Sequence, residues 1–113
     1  MAYGAREAAE EWWNGLVDAL RRRGWLIAEN ELEGPVAVIR NGWYLTRRRA
    51  VSAMEEAIAE ELADPDADDT LPVGEVLAFV EVCSRKHFDF IGLPDDPEAA
   101  AAILHHELNG RPV

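Results

Sequence analysis

One dipeptide limits the fold of this chain more than any other feature. Asn41-Gly42 lies between two short apolar runs, Val36–Arg40 and Trp43–Arg47. A two-residue hairpin turn that matches the strand twist needs positive φ at both central positions, and Asn-Gly supplies it with little strain. The sequence therefore predicts two antiparallel strands, with Arg40 opposite Trp43 and Val38 opposite Leu45. Val36, Val38, Trp43 and Leu45 then share one face, which is the expected core side. Ala37, Ile39, Tyr44 and Thr46 share the other. Residues 25–32 suit a strand as well, and Glu33-Gly34-Pro35 breaks it from the hairpin. A three-stranded antiparallel meander is the result.

Helical spacing flanks this meander on both sides. Trp13, Leu16, Val17 and Leu20 form one stripe within residues 5–23, and Trp12 widens it. Glu7, Glu10 and Glu11 near its start and Arg21–Arg23 near its end complement the helix dipole, and Gly24 fits the position after the last turn. The adjacent Trp12 and Trp13 cannot point the same way, so one is expected at the core margin and is a candidate interface anchor. Residues 47–63 predict a second helix with Val51, Met54, Ile58 and Leu62 inward.

Beyond Pro72, Val76, Phe79, Val80 and Cys83 repeat at helical spacing, although Leu77–Cys83 is also β-prone; helix is the expectation. His87–Ile91 alternates and suits a short strand. Asp96-Pro97 opens a last helix with Ala100, Ile103, Leu104 and Leu108 inward. The predicted fold is α+β: an N-terminal helix, the meander, then two or three helices with a short extra strand near residues 87–91. A chain of 113 residues is expected to form a single domain over 1–113.

Charge narrows the function classes. The chain has 22 acids against 11 bases, a formal charge of −11. Residues 50–84 hold ten of the acids and no lysine or arginine. Such a face repels phosphate, so direct nucleic-acid binding is not expected. It suits a protein with a basic surface, and Glu55, Glu56, Glu60, Glu61, Asp64, Asp66, Asp68 and Asp69 are the candidate partner-binding residues. The leading expectation is a non-enzymatic acidic protein-interaction module, in its sharpest form a charge mimic that inhibits a nucleic-acid-binding protein. The arginine and alanine bias hints at a bacterial or phage origin.

Three other features carry candidate chemistry. Asp64, Asp66, Asp68, Thr70 and Glu75 fall at positions 1, 3, 5, 7 and 12 of an EF-hand-like loop, which makes a calcium-binding module the first alternative. Asp69 stands where such loops carry glycine, and Pro72 offers no side-chain oxygen at position 9. Arg47, Arg48 and Arg49 open a predicted helix after Thr46, a candidate anion site; pairing with the chain's own carboxylates is the plainer reading. Cys83 and His87 would be four residues apart on a continued helix, as a nucleophile–base pair requires, but Cys83 also falls on the apolar stripe. His105-His106-Glu107 resembles the start of a zinc-protease helix, yet Gly110 stands where the second histidine is needed.

The second alternative is a small enzyme with a site that the sequence does not reveal. No cofactor is expected outside the calcium reading. One cysteine excludes an internal disulfide, no apolar run reaches membrane-spanning length, and the first residues lack a secretion signal pattern, so a cytoplasmic location is expected.

Overall fold

The computed structural model describes residues 4–63 and 74–109. The chain runs α1 (Ala5–Arg22), β1 (Leu26–Asn30), β2 (Gly34–Arg40), β3 (Trp43–Thr46), α2 (Arg47–Ala63), β4 (Leu77–Cys83), β5 (Phe88–Pro94) and α3 (Pro97–Asn109). The strands form one antiparallel sheet in chain order. The class is mixed α+β as the sequence predicts, with five strands and three helices.

The hairpin forms in the predicted register, Arg40 opposite Trp43 and Val38 opposite Leu45. Asn41 has φ 55° and Gly42 φ 82°, the pair of positive angles that a type I′ turn requires. Val38, Trp43 and Leu45 are buried; Val36 is only partly so. After Thr46 the chain turns straight into α2, and the Thr46 hydroxyl accepts from the Arg49 N–H at 3.4 Å. This early turn leaves β3 and β4 a single pairing, Tyr44 with Cys83. α2 then packs beside β4 where β3 would have continued.

The helix expected over residues 76–83 is strand β4. Ala78, Val80 and Val82 are buried and alternate with the exposed Leu77 and Phe79. Local pattern could not separate the two states because both parities are apolar. The decision comes from β5, which pairs with β4 along its full length across the Ser84–His87 turn. The short strand expected at 87–91 extends to Pro94.

α1 packs against both α2 and α3 and is buried on two sides. Trp12 and Trp13 are therefore both buried, at 3% and 0% exposure, which removes the expected marginal tryptophan. They point apart as adjacency demands. Trp12 Nε1 donates to Pro94 O at 3.0 Å, and Trp13 Nε1 donates to Pro35 O at 3.0 Å. Each ring thus brings its polar tip to a carbonyl while filling the core. Two expected inward residues lie outside it: Leu62 and Ile103 are exposed.

Candidate functional site

The two faces of the sheet have different fates. One carries Val38, Leu45, Val80, Val82 and Leu93, all buried within the helix-covered core. The other is also apolar and is open. Antiparallel partners share a face, so register places side chains directly. Leu26 stands opposite Ile39, Ile39 opposite Tyr44, Tyr44 opposite Cys83 and Cys83 opposite Phe88. These five residues form one row across all five strands, about 19 Å long at the usual strand spacing.

Leu77 and Phe79 from β4 and Phe90 from β5 extend the row into a patch. Exposures are 70% for Leu26, 40% for Tyr44, 50% for Leu77, 63% for Phe79, 66% for Phe88 and 56% for Phe90. Phe88 and Phe90 meet edge to face with centroids 6.1 Å apart. The Phe79 ring lies over Gly92, where a Cβ would meet it at 3.2 Å. Contiguous exposed apolar surface of this kind marks a site of contact with another molecule far more often than ordinary surface does.

A groove of about 290 Å³ borders the patch between α2 and β4. Arg48, Ser52, Ala53 and Glu56 of α2 form one wall, and Phe79, Glu81 and Phe90 form the other. A second hollow continues it past Ala57 and Glu60 to Leu77. Glu56 and Glu60, four residues apart, thus put two carboxylates along the rim of an aromatic surface.

The other acidic residues are distributed differently. Glu55 faces α1, where its carboxylate takes a 3.1 Å contact from Arg6. Glu61 is exposed. Asp64, Asp66, Asp68, Asp69 and Thr70 lie outside the described residues. Of the candidate calcium ligands only Glu75 is described; it is exposed, and β4 follows it in place of the exit helix of an EF-hand. Among the described residues no cluster of three metal-ligating side chains occurs.

The arginine triplet is mostly engaged with the chain's own carboxylates. Arg47 reaches Glu10 at 3.5 Å, and Arg49 pairs with Glu81. Arg48 lines the groove. Arg47 thus links α2 to α1, and Arg49 links it to β4.

Cys83 and His87 sit on opposite sides of a strand turn, not on one helix face. Burial pushes the Cys83 thiol pKa up, and its hydrogen bond to Glu81 adds to the rise despite the nearby Arg49. At neutral pH the group is a thiol, which is the weaker nucleophile. His105 belongs to the packing of α3: Trp25 Nε1 donates to its Nδ1 at 2.9 Å. Burial lowers the His105 pKa, and Arg23 and Arg40 lower it further.

Sequence reading overlooked the outer sheet face. One signal was present: Ala37, Ile39 and Tyr44, assigned to the outward side of the hairpin, are mostly apolar. Comparison of the chain with family models, curated proteins and solved structures finds no match to any of them. Among the described residues no helix is long and apolar enough to cross a membrane.

Proposed function

We propose that this protein is a non-enzymatic interaction module whose binding surface is the open face of its sheet. The observation that carries the reading is the apolar row Leu26–Ile39–Tyr44–Cys83–Phe88, continued by Leu77, Phe79 and Phe90. The ligand is a polypeptide segment with large apolar side chains and basic flanks. Aromatic side chains supply contact area at low entropic cost, while Glu56 and Glu60 on the rim, within a chain of charge −11, favour and steer a basic partner. Charge acts here as an accessory to apolar contact, which makes the reading broader than mimicry of nucleic acid.

Selection from a random peptide library tests it. The expected result is enrichment of peptides that combine Phe, Trp, Leu or Ile with Lys or Arg. Their binding is lost in Phe79→Ser and Tyr44→Ser, and Glu56→Lys with Glu60→Lys flattens its salt dependence. Peptides lacking apolar residues, or binding indifferent to Phe79 and Tyr44 in folded variants, would overturn it.

A further inference from the structure

The two edges of the sheet are built differently. β1 is five residues long, its pairing is interrupted between Ala28 and Glu29, and Glu29 is tied to Arg21. Short, bulged, charged edges resist pairing with another chain. β5 is seven residues long, pairs without interruption, and carries the exposed Phe88 and Phe90. Among the described residues no strand lies on its outer side.

Hydrogen bonds at both ends of the β4–β5 ladder set its phase. Ser84 N–H donates to His87 O at 2.7 Å, and Asp95 N–H donates to Val76 O at 3.1 Å. Alternation between these fixed ends turns the main-chain groups of Asp89, Ile91 and Leu93 toward β4 and those of Phe88, Phe90 and Gly92 outward. The Phe90 N–H accordingly donates to the adjacent Asp89 Oδ1 at 2.8 Å.

We propose that β5 pairs antiparallel with β5 of a second copy of this chain, about a two-fold axis at Phe90. The local charges at the two ends of the strand, and not the overall −11, favour this occupant. Arg85 and Lys86 precede the strand, and neither has an ion-pair partner among the described residues; Asp96 follows it, as does Asp95, one oxygen of which already accepts from the Gly74 and Val76 N–H groups. Two-fold antiparallel pairing brings the start of each strand to the end of the other, so bases meet acids at both ends of the interface.

The register follows from the outward groups. Centring on Phe90 pairs Phe88 with Gly92 of the second copy and Phe90 with its own equivalent, which engages all three outward residues. A shift toward Pro94 would meet a residue without N–H whose carbonyl already accepts from Trp12. Pairing exchanges the Asp89 cap on the Phe90 N–H for a strand carbonyl. The pairing uses main-chain groups of the strand edge; Phe88 and Phe90 are the two residues it shares with the open face, and Leu26, Ile39, Tyr44, Leu77 and Phe79 belong to the open face alone.

Sedimentation of the whole chain over micromolar to submillimolar concentration, at low and high salt, tests it. The expected result is a dimer at the higher salt, where the mutual repulsion of two chains of charge −11 is screened. Arg85→Glu with Lys86→Glu should raise the dimer Kd about tenfold or more, and adding Asp96→Lys should recover part of the loss. Phe90→Pro removes an outward N–H and should give a monomer, whereas Phe90→Ser keeps that N–H and stays dimeric. Phe79→Ser, which abolishes peptide binding in the reading above, leaves the dimer intact.

A wild-type monomer throughout the range, or a dimer unchanged in a folded Phe90→Pro variant, would overturn the proposal. If Phe90→Pro does not fold, amide exchange of the wild type decides. Protection of Phe88, Phe90 and Gly92 that rises with protein concentration supports the pairing, and fast exchange at every concentration refutes it.

Discussion

Both faces of this sheet are largely apolar, and they differ in what covers them. Along β4, Ala78, Val80 and Val82 are buried while Leu77 and Phe79 are exposed one position away. An antiparallel sheet packed on one side normally alternates apolar with polar, whereas strands apolar on both faces are typical of sheets covered on both. β4 and the central hairpin have the second composition in the first architecture. Burial under the helices accounts for the apolar residues of one face, and among the described residues no element covers those of the other.

That contrast makes its largest prediction at the buried face. Leu93→Ala should destabilise by about 2–5 kcal/mol, since Leu93 is fully buried beneath the helix layer. Phe79→Ala, with a larger side chain removed from the open face, should cost less than about 1 kcal/mol. Urea unfolding of the two variants checks the ordering, and equal losses would break the distinction between the faces.

The turn that aligns the faces comes next. Gly42→Val forces a β-branched residue to φ near 82° and should cost about 1–3 kcal/mol. Unchanged thermal stability would speak against the type I′ turn on which the register of the Leu26–Phe88 row depends.

The sequence disclosed the covered side of the molecule well and the open side poorly, for one physical reason. Hairpin, α1, α2 and α3 were legible because local chemistry specifies them: Asn41-Gly42 at the turn, Thr46 and Asp96 at helix starts, apolar residues at helical spacing. Residues 76–83 favour helix by local pattern because a strand largely apolar on both faces has no alternation to display. The same property that hides the strand from local pattern creates the exposed patch. The row itself needs the pairing Tyr44–Cys83, a contact between residues 39 apart that no local pattern encodes. The acidic segment was legible as charge, but only topology shows that Glu56 and Glu60 flank an aromatic surface while Glu55 is taken by Arg6.

A smaller effect sharpens the account of the covered side. Trp12→Phe keeps an aromatic ring but loses the indole N–H and part of its volume, leaving the Pro94 carbonyl without its donor, for an expected loss of about 1–3 kcal/mol by urea unfolding.

The smallest effect is pH-dependent. His105 has its pKa lowered in the folded chain, so the unfolded chain takes up its proton first as pH falls. The stability this group contributes is complete above its unfolded value near 6.5 and is lost progressively as pH drops toward the lowered folded value. Melting temperature should therefore fall across that window with a component absent in His105→Gln, and Trp25 fluorescence should report the loss of its bond to Nδ1. A His105→Gln profile that matches the wild type would remove His105 as the source.

The proposed partner surface is the open face, and not the helical side or the acidic residues alone. Side-chain NMR of the isotope-labelled protein during titration with a library-selected apolar–basic peptide tests this most directly. Saturable shifts are expected at Leu26, Ile39, Tyr44, Leu77, Phe79, Phe88 and Phe90, while Leu45, Val80 and Leu104 stay put. Shifts confined to α1, α3 or the carboxylates of α2, with the Leu26–Phe88 row unmoved, would contradict it.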